Sequence, residues 1–209
     1  MNKILTLIIT GVGGQGILTL SEIIGRALIR KGFNVKSTEI HGLAQRGGSV
    51  VSHLKAGFTE FSPIADEGSA DVIIGLELLE TLRAAKYMNS ETIVLINDNI
   101  IKPVLPKINV PDKEEVFTRI KKITKNIIKV DADGIARKLN AIQVVNTVML
   151  GALAGVEVLP LSPDELLYAI KERIAPKFHS VNELAFNEGY KISRQIVSEI
   201  GLQLKRRNL

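Results

Sequence analysis

Residues Lys3–Thr10, KILTLIIT, form an apolar run that ends directly in GVGGQG, Gly11–Gly16. After it, Ile17, Leu20, Ile24 and Leu28 recur at helical spacing up to Lys31, and Gly32 stands where a helix C-cap belongs. A short continuous apolar run is a buried strand, and the glycines that follow turn it sharply into a helix. FNVKSTEI (33–40) reads as a second strand, so the first forty residues make a βαβ unit. No other stretch narrows the choice of fold as much.

The rest of the chain extends the same alternation. SVVSHLKAGF (49–58) alternates as a third strand, possible at a sheet edge, with His53 read as half-exposed rather than as a ligand. Buried strands follow at Asp71–Glu77 and Thr92–Asn97, separated by a helix to about Met88. IKPVLPKINVP, with three prolines, is extended and irregular. DKEEVFTRIKKIT is an amphipathic helix and IIKVDA a further strand. Helical segments then lie near Gly134–Leu139, Ile142–Gly155, Pro163–Ile174 and Val181–Ile200, the last with Val181, Leu184, Ala185, Ile192, Ile196 and Ile200 along one face. The expected class is α/β: a Rossmann-like open, mostly parallel sheet, helices on both faces and a helical C-terminal part. With no internal repeat and no long linker, residues 1–209 are expected to be a single domain.

Composition excludes several function classes. The chain has no cysteine, so it cannot supply thiolates to an iron–sulfur cluster or a zinc site. Its 27 basic and 22 acidic residues leave +5, with the basic ones gathered in TRIKKITK (118–125) and LKRRNL (204–209). Such runs read as a solvated helix face and a tail, and with 4% aromatics there is little surface for stacking bases. Nucleic acid is not an expected partner. Val144–Val156 is too short to span a membrane and contains Asn146 and Thr147. The apolar start lacks a small-residue cleavage pattern, so a cytoplasmic protein is the default.

Gly11, Gly13 and Gly16 carry the G-x-G-x-x-G spacing, Gly14 adds room, and Gln15 offers a side-chain hydrogen bond. Backbone without side chains can approach a phosphate, and free helix N–H groups point at it. Glu39 falls roughly where a ribose-binding acid stands in dinucleotide enzymes. Three readings stay open at this point: a whole dinucleotide, a phosphate or other anion alone, or a tight turn with no ligand.

The second unusual stretch is TEIHGLAQRGGSV (38–50). TGVGGQGILTLSEIIGRAL, followed by STEIHGLAQRGGSVVSHLKAG, resembles the gamma-type module of the 2-oxoacid:ferredoxin oxidoreductases, and among these the small (beta) subunits of the indolepyruvate type. HSVNELAFNEGY (179–190) is similar to the family's C-terminal helix, with its Asn, Ala-Phe pair and Gly. The resemblance implies a thiamine-diphosphate enzyme complex that oxidatively decarboxylates an aryl pyruvate to an acyl-CoA and reduces ferredoxin. It implies a larger partner subunit carrying thiamine diphosphate, Mg2+ and the iron–sulfur clusters, with coenzyme A as substrate. The isolated chain is expected to be inactive.

Under this resemblance Glu39, His41, Gln45, Arg46, Gly47 and Gly48 become a candidate partner interface, favoured over direct catalysis. His41 as a proton carrier and Arg46 as a bidentate clamp for carboxylate or phosphate remain catalytic candidates. Gly11, Gly13, Gly14, Gln15 and Gly16 are candidates for phosphate, another anion or CoA. No metal site is expected. The competing functions are a stand-alone NAD(P)-binding Rossmann oxidoreductase and a non-catalytic nucleotide- or CoA-binding module.

Overall fold

The computed structural model describes residues 4–42, 47–101 and 110–199. Among these, six strands form one sheet: β1 (Leu5–Val12), β2 (Asn34–His41), β3 (Ser49–Gly57), β4 (Val72–Gly75), β5 (Ile93–Asn97) and β6 (Ile127–Val130). Their spatial order is β2-β3-β1-β4-β5-β6. β1, β4, β5 and β6 pair in parallel, whereas β3 runs antiparallel to both neighbours. Five strands therefore point one way, and their carboxyl ends share one rim of the sheet. The expected class holds.

Two details of β3 differ from the sequence reading. β3 lies inside the sheet, between β1 and β2, and β2 takes the edge. β3 looked like an edge because Ser52, His53 and Lys55 interrupt its apolar pattern. Each of them finds a partner inside the protein: Ser52 Oγ donates to Ser21 Oγ (3.0 Å), Lys55 Nζ to the Ile64 carbonyl (3.3 Å), and His53 Nδ1 accepts the Ala65 N–H (3.0 Å). His53 is fully buried, edge-on to the Tyr87 ring at 5.0 Å, rather than half-exposed. Burial, followed by the charges of Lys86 and Lys55, pushes its pKa down and keeps the imidazole neutral.

Helices cover both faces. α1 (Ile17–Arg30), α4 (Ala132–Lys138), α5 (Val145–Val156), α6 (Pro163–Arg173) and α7 (His179–Glu199) build the larger core on one side. α2 (Leu78–Arg83), a 3-10 turn at Ala84–Tyr87, and α3 (Lys113–Lys121) build the smaller one on the other. Helix α1 stops because Gly32 (φ 93°) lets its N–H reach the Ile29 carbonyl while Phe33 N–H reaches Leu28, closing a Schellman turn.

Helix α5 is buried on every side, as an all-round apolar helix must be. α7 lies against it through Asn182, Ala185, Phe186, Gly189 and Ser193. Of the expected face, Val181, Ala185, Ile192 and Ile196 pack on the core, Leu184 alone among the described members is exposed, and Ile200 lies outside the described residues. Small residues decide the contact: a Cβ on Gly189 would stand 1.9 Å from the Val148 carbonyl oxygen, and one on Gly151 1.9 Å from that of Phe186. The helices approach backbone to backbone, which aliphatic periodicity does not register.

Candidate functional site

The glycine turn joins β1 to α1 at the carboxyl rim. Gln15 folds back over it: its Oε1 accepts the Val12 N–H at 2.7 Å and its Nε2 donates to the Leu76 carbonyl at 3.1 Å. A Cβ on Gly11 would meet that Oε1 at 2.6 Å. Gln15 therefore shapes the turn and ties β1 to the end of β4. Both polar atoms of its amide are engaged within the protein. Gly14 (φ 103°) and Gly16 (φ 82°) adopt left-handed conformations, and no side chain at the N-cap takes up the first N–H groups of α1.

β1 and β4 are neighbours whose following helices, α1 and α2, lie on opposite faces of the sheet. In open α/β sheets such a switch point opens a crevice where ligands bind. Beside the glycine turn, on the α1 face, lies a cleft of about 520 Å³. Gly14, Gln15, Gly16 and Thr19 line one side, Asp133, Gln143 and Asn146 another, and Ile142, Ile174, Phe178 and Asn182 complete the wall.

The polar groups of this cleft are held from behind. Asn97 at the end of β5 accepts the Ala132 N–H and donates to both the Leu76 carbonyl (3.0 Å) and Asp133 Oδ2 (2.6 Å). Asn99 adds a second donor to the same oxygen at 3.2 Å. Asn146 Nδ2 reaches the Gly16 carbonyl at 3.4 Å, and Thr147 Oγ1 donates to Asn182 Oδ1 at 2.6 Å. Asn182 was visible in the C-terminal block. Asn146 shows in the sequence only as a polar residue in an apolar helix. Asp133 follows the IIKVDA strand, and no local pattern links it to a turn more than a hundred residues earlier.

The second stretch arrives at the same rim. Gly13 N–H donates to the Gly48 carbonyl (2.8 Å) and Gly47 N–H to the Gly13 carbonyl (3.4 Å). Gly47 has φ 74°, and Ser49 Oγ donates to the buried Glu80 carboxylate at 2.5 Å, which also holds Arg83. Nearby, Glu77 caps α2 and accepts the Ile101 N–H, and burial pushes its pKa up.

His41 and Glu39, both partly exposed, stand 3.6 Å apart on the edge strand. Glu39 lines a separate groove between α1 and β2, with Leu18, Ile29 and Val35. The insertion of β3 puts a whole strand between Glu39 and β1, so the acid expected to meet a ribose at the glycine turn does not reach it. Gln45 and Arg46 lie outside the described residues.

For metals and clusters the donor set does not fit. The sequence has no thiolate to offer, and no group of three His, Asp or Glu side chains converges among the described residues. Asp131 in DADG is engaged in capping α4, its Oδ1 accepting the Gly134 N–H at 2.9 Å. No described helix is long and apolar enough to cross a membrane.

Comparison with known proteins agrees with this architecture. The sequence pattern of the pyruvate ferredoxin/flavodoxin oxidoreductase family matches residues 6–192. The chain is 39% identical over 191 residues to an indolepyruvate oxidoreductase subunit IorB of Archaeoglobus fulgidus, covering 89% of this chain and 94% of that one. It is 27% identical over 192 residues to the pyruvate/ketoisovalerate oxidoreductase common subunit gamma of Thermococcus kodakarensis, covering 91% and 96%. The fold is shared with the pyruvate oxidoreductase subunit PORC of Thermotoga maritima (TM-score 0.68, 23% identity, 91% and 97% covered). It is shared also with one third of the longer 2-oxoglutarate:ferredoxin oxidoreductase chain of Magnetococcus marinus, solved with 2-oxoglutarate, coenzyme A and succinyl-CoA bound (TM-score 0.72, 17% identity, 99% of this chain covered). The chain belongs to the pyruvate ferredoxin/flavodoxin oxidoreductase family, as a gamma-type subunit of the 2-oxoacid:ferredoxin oxidoreductases.

Proposed function

We propose that this subunit serves an indolepyruvate-type enzyme, holds the nucleotide end of coenzyme A in the glycine-turn cleft, and docks on the larger subunit through its β2–β3 loop. The observation that carries the reading is the backbone pairing of Gly13 with Gly47 and Gly48. The two stretches that mark the family are one structural unit, so a partner seated on Glu39, His41, Gly47 and Gly48 would border the cleft. Gln45 and Arg46 belong to the same sequence stretch and are assigned to the same interface. The partner would hold thiamine diphosphate, Mg2+ and the iron–sulfur clusters, which supply the decarboxylation and electron transfer.

What this chain's own residues contribute is binding and orientation. The free N–H groups at the start of α1 attract phosphate oxygens. Ile142, Ile174 and Phe178 give the cleft an apolar side against which a flat base can rest. A dinucleotide enzyme is the weaker reading because Glu39 faces the other groove.

Reconstitution tests the proposal. Indolepyruvate- and CoA-dependent viologen reduction should appear only when this chain is mixed with the larger subunit. Full activity of the larger subunit alone, or NAD reduction by this chain alone, would overturn it.

A further inference from the structure

We infer that Asp133 is the residue that recognises the sugar of the nucleotide, accepting a hydrogen bond from a ribose hydroxyl, and so determines specificity for a ribonucleotide-bearing thiol. This rests on the reading that the cleft holds the nucleotide end of CoA. The role that the sequence spacing offered to Glu39 passes to a residue from the far side of the switch point.

Asp133 lines the same cleft as Gly14, Gly16 and Thr19, but it comes from the first turn of α4, after the last strand. Its two side-chain bonds, from Asn97 and Asn99, both fall on Oδ2. Oδ1 takes no donor among the described residues and is the carboxylate oxygen left to a ligand. The orientation is fixed because the Asn97 amide is itself fixed: its oxygen accepts the Ala132 N–H, so only its NH2 can face Asp133 and Leu76. A charged acceptor held by the buried Asn97 amide and by Asn99 is aligned before the ligand arrives, which is the arrangement that discriminates hydroxyl-bearing ligands from those lacking the group. With phosphates at the turn and the base against Phe178 and Ile142, the sugar is the donor-bearing group that lies between them.

The geometry gives a sharp variant. In Asp133→Asn the two amide donors hold the new side-chain oxygen at the inner position, so an NH2 group turns toward the cleft and the acceptor becomes a donor. In the assembled complex, the preference for CoA over 4′-phosphopantetheine, as a ratio of kcat/KM, should fall about tenfold or more, the usual size of a lost hydrogen bond to a charged group. In the unmodified complex, CoA lacking the ribose 2′-hydroxyl should show the same loss.

An unchanged ratio in Asp133→Asn, or a 2′-deoxy analogue used as well as CoA, would overturn the assignment. Thr19→Trp, which fills the cleft, separates this from failure of the underlying reading. If it leaves the KM for CoA unchanged, the nucleotide is held elsewhere and both fall. If it raises that KM while Asp133→Asn leaves the ratio intact, the cleft reading stands and the Asp133 inference alone fails.

Discussion

Two parts of the molecule use glycine to bring chain segments together, and they do so for opposite ends. In the α5–α7 seam, the space next to Gly151 and Gly189 is filled by backbone, at 1.9 Å from where a Cβ would sit. At the glycine turn, the space next to Gly16 is filled by the Asn146 side-chain amide at 2.5 Å, and next to Gly14 there is nothing within 4 Å. One region is sealed by backbone. The other is polar, has side chains that can shift, and opens on a cleft. Glycine spacing alone does not distinguish them; what occupies the vacated volume does.

The largest effect should come from the sealed region. Gly189→Ala pushes a methyl into the Val148 carbonyl, and neither helix can yield without losing the other's packing. A loss of about 3 kcal/mol or more in chemical denaturation is expected. A loss below about 1 kcal/mol would mean that the seam is no tighter than the turn.

Gly16→Ala should cost less, about 1–2 kcal/mol, from its left-handed backbone and its contact with Asn146. The contact part should be relieved in Gly16→Ala combined with Asn146→Ala, so that the two changes together cost less than their sum. Strict additivity would break the comparison, because the turn would then be as rigid as the seam.

The smallest effect is a control that lies in neither region. His53 is buried neutral on the other face, with its folded pKa below the ordinary 6.5. Its contribution to stability is therefore complete above pH 6.5 and is lost as pH falls toward the lowered value, by at most about 1.4 kcal/mol per pH unit. His53→Phe should remove this slope, whereas Gly189→Ala and Gly16→Ala should retain it. A changed slope in either glycine variant would show that its damage spreads across the sheet.

Much of the fold was legible in the sequence for a local reason. The run KILTLIIT into GVGGQG and then into helical spacing fixes a strand, a turn and a helix from contiguous residues, and α1 ends at Gly32 for the same reason. Strand β3 was legible as a strand but not as an interior one. Ser52, His53 and Lys55 look solvent-seeking until Ser21, Ala65 and Ile64 are seen to partner them. The buried face of α7 is legible in Val181, Ala185, Ile192 and Ile196, but Leu184 is exposed and Gly189 carries no hydrophobic signal, although a missing side chain is what α5 requires.

The sequence by itself determined the alternation of strands and helices, the glycine turn, the lack of thiolate ligands and the family resemblance, all properties of neighbouring residues or of composition. Only the tertiary structure decided which residues share the cleft. Inserting β3 carries Glu39 away from the turn, and the crossing after β6 brings Asp133, Asn146 and Asn182 to it. Strand order is set by which apolar faces can be buried together across the whole chain, and no window of adjacent residues contains that information.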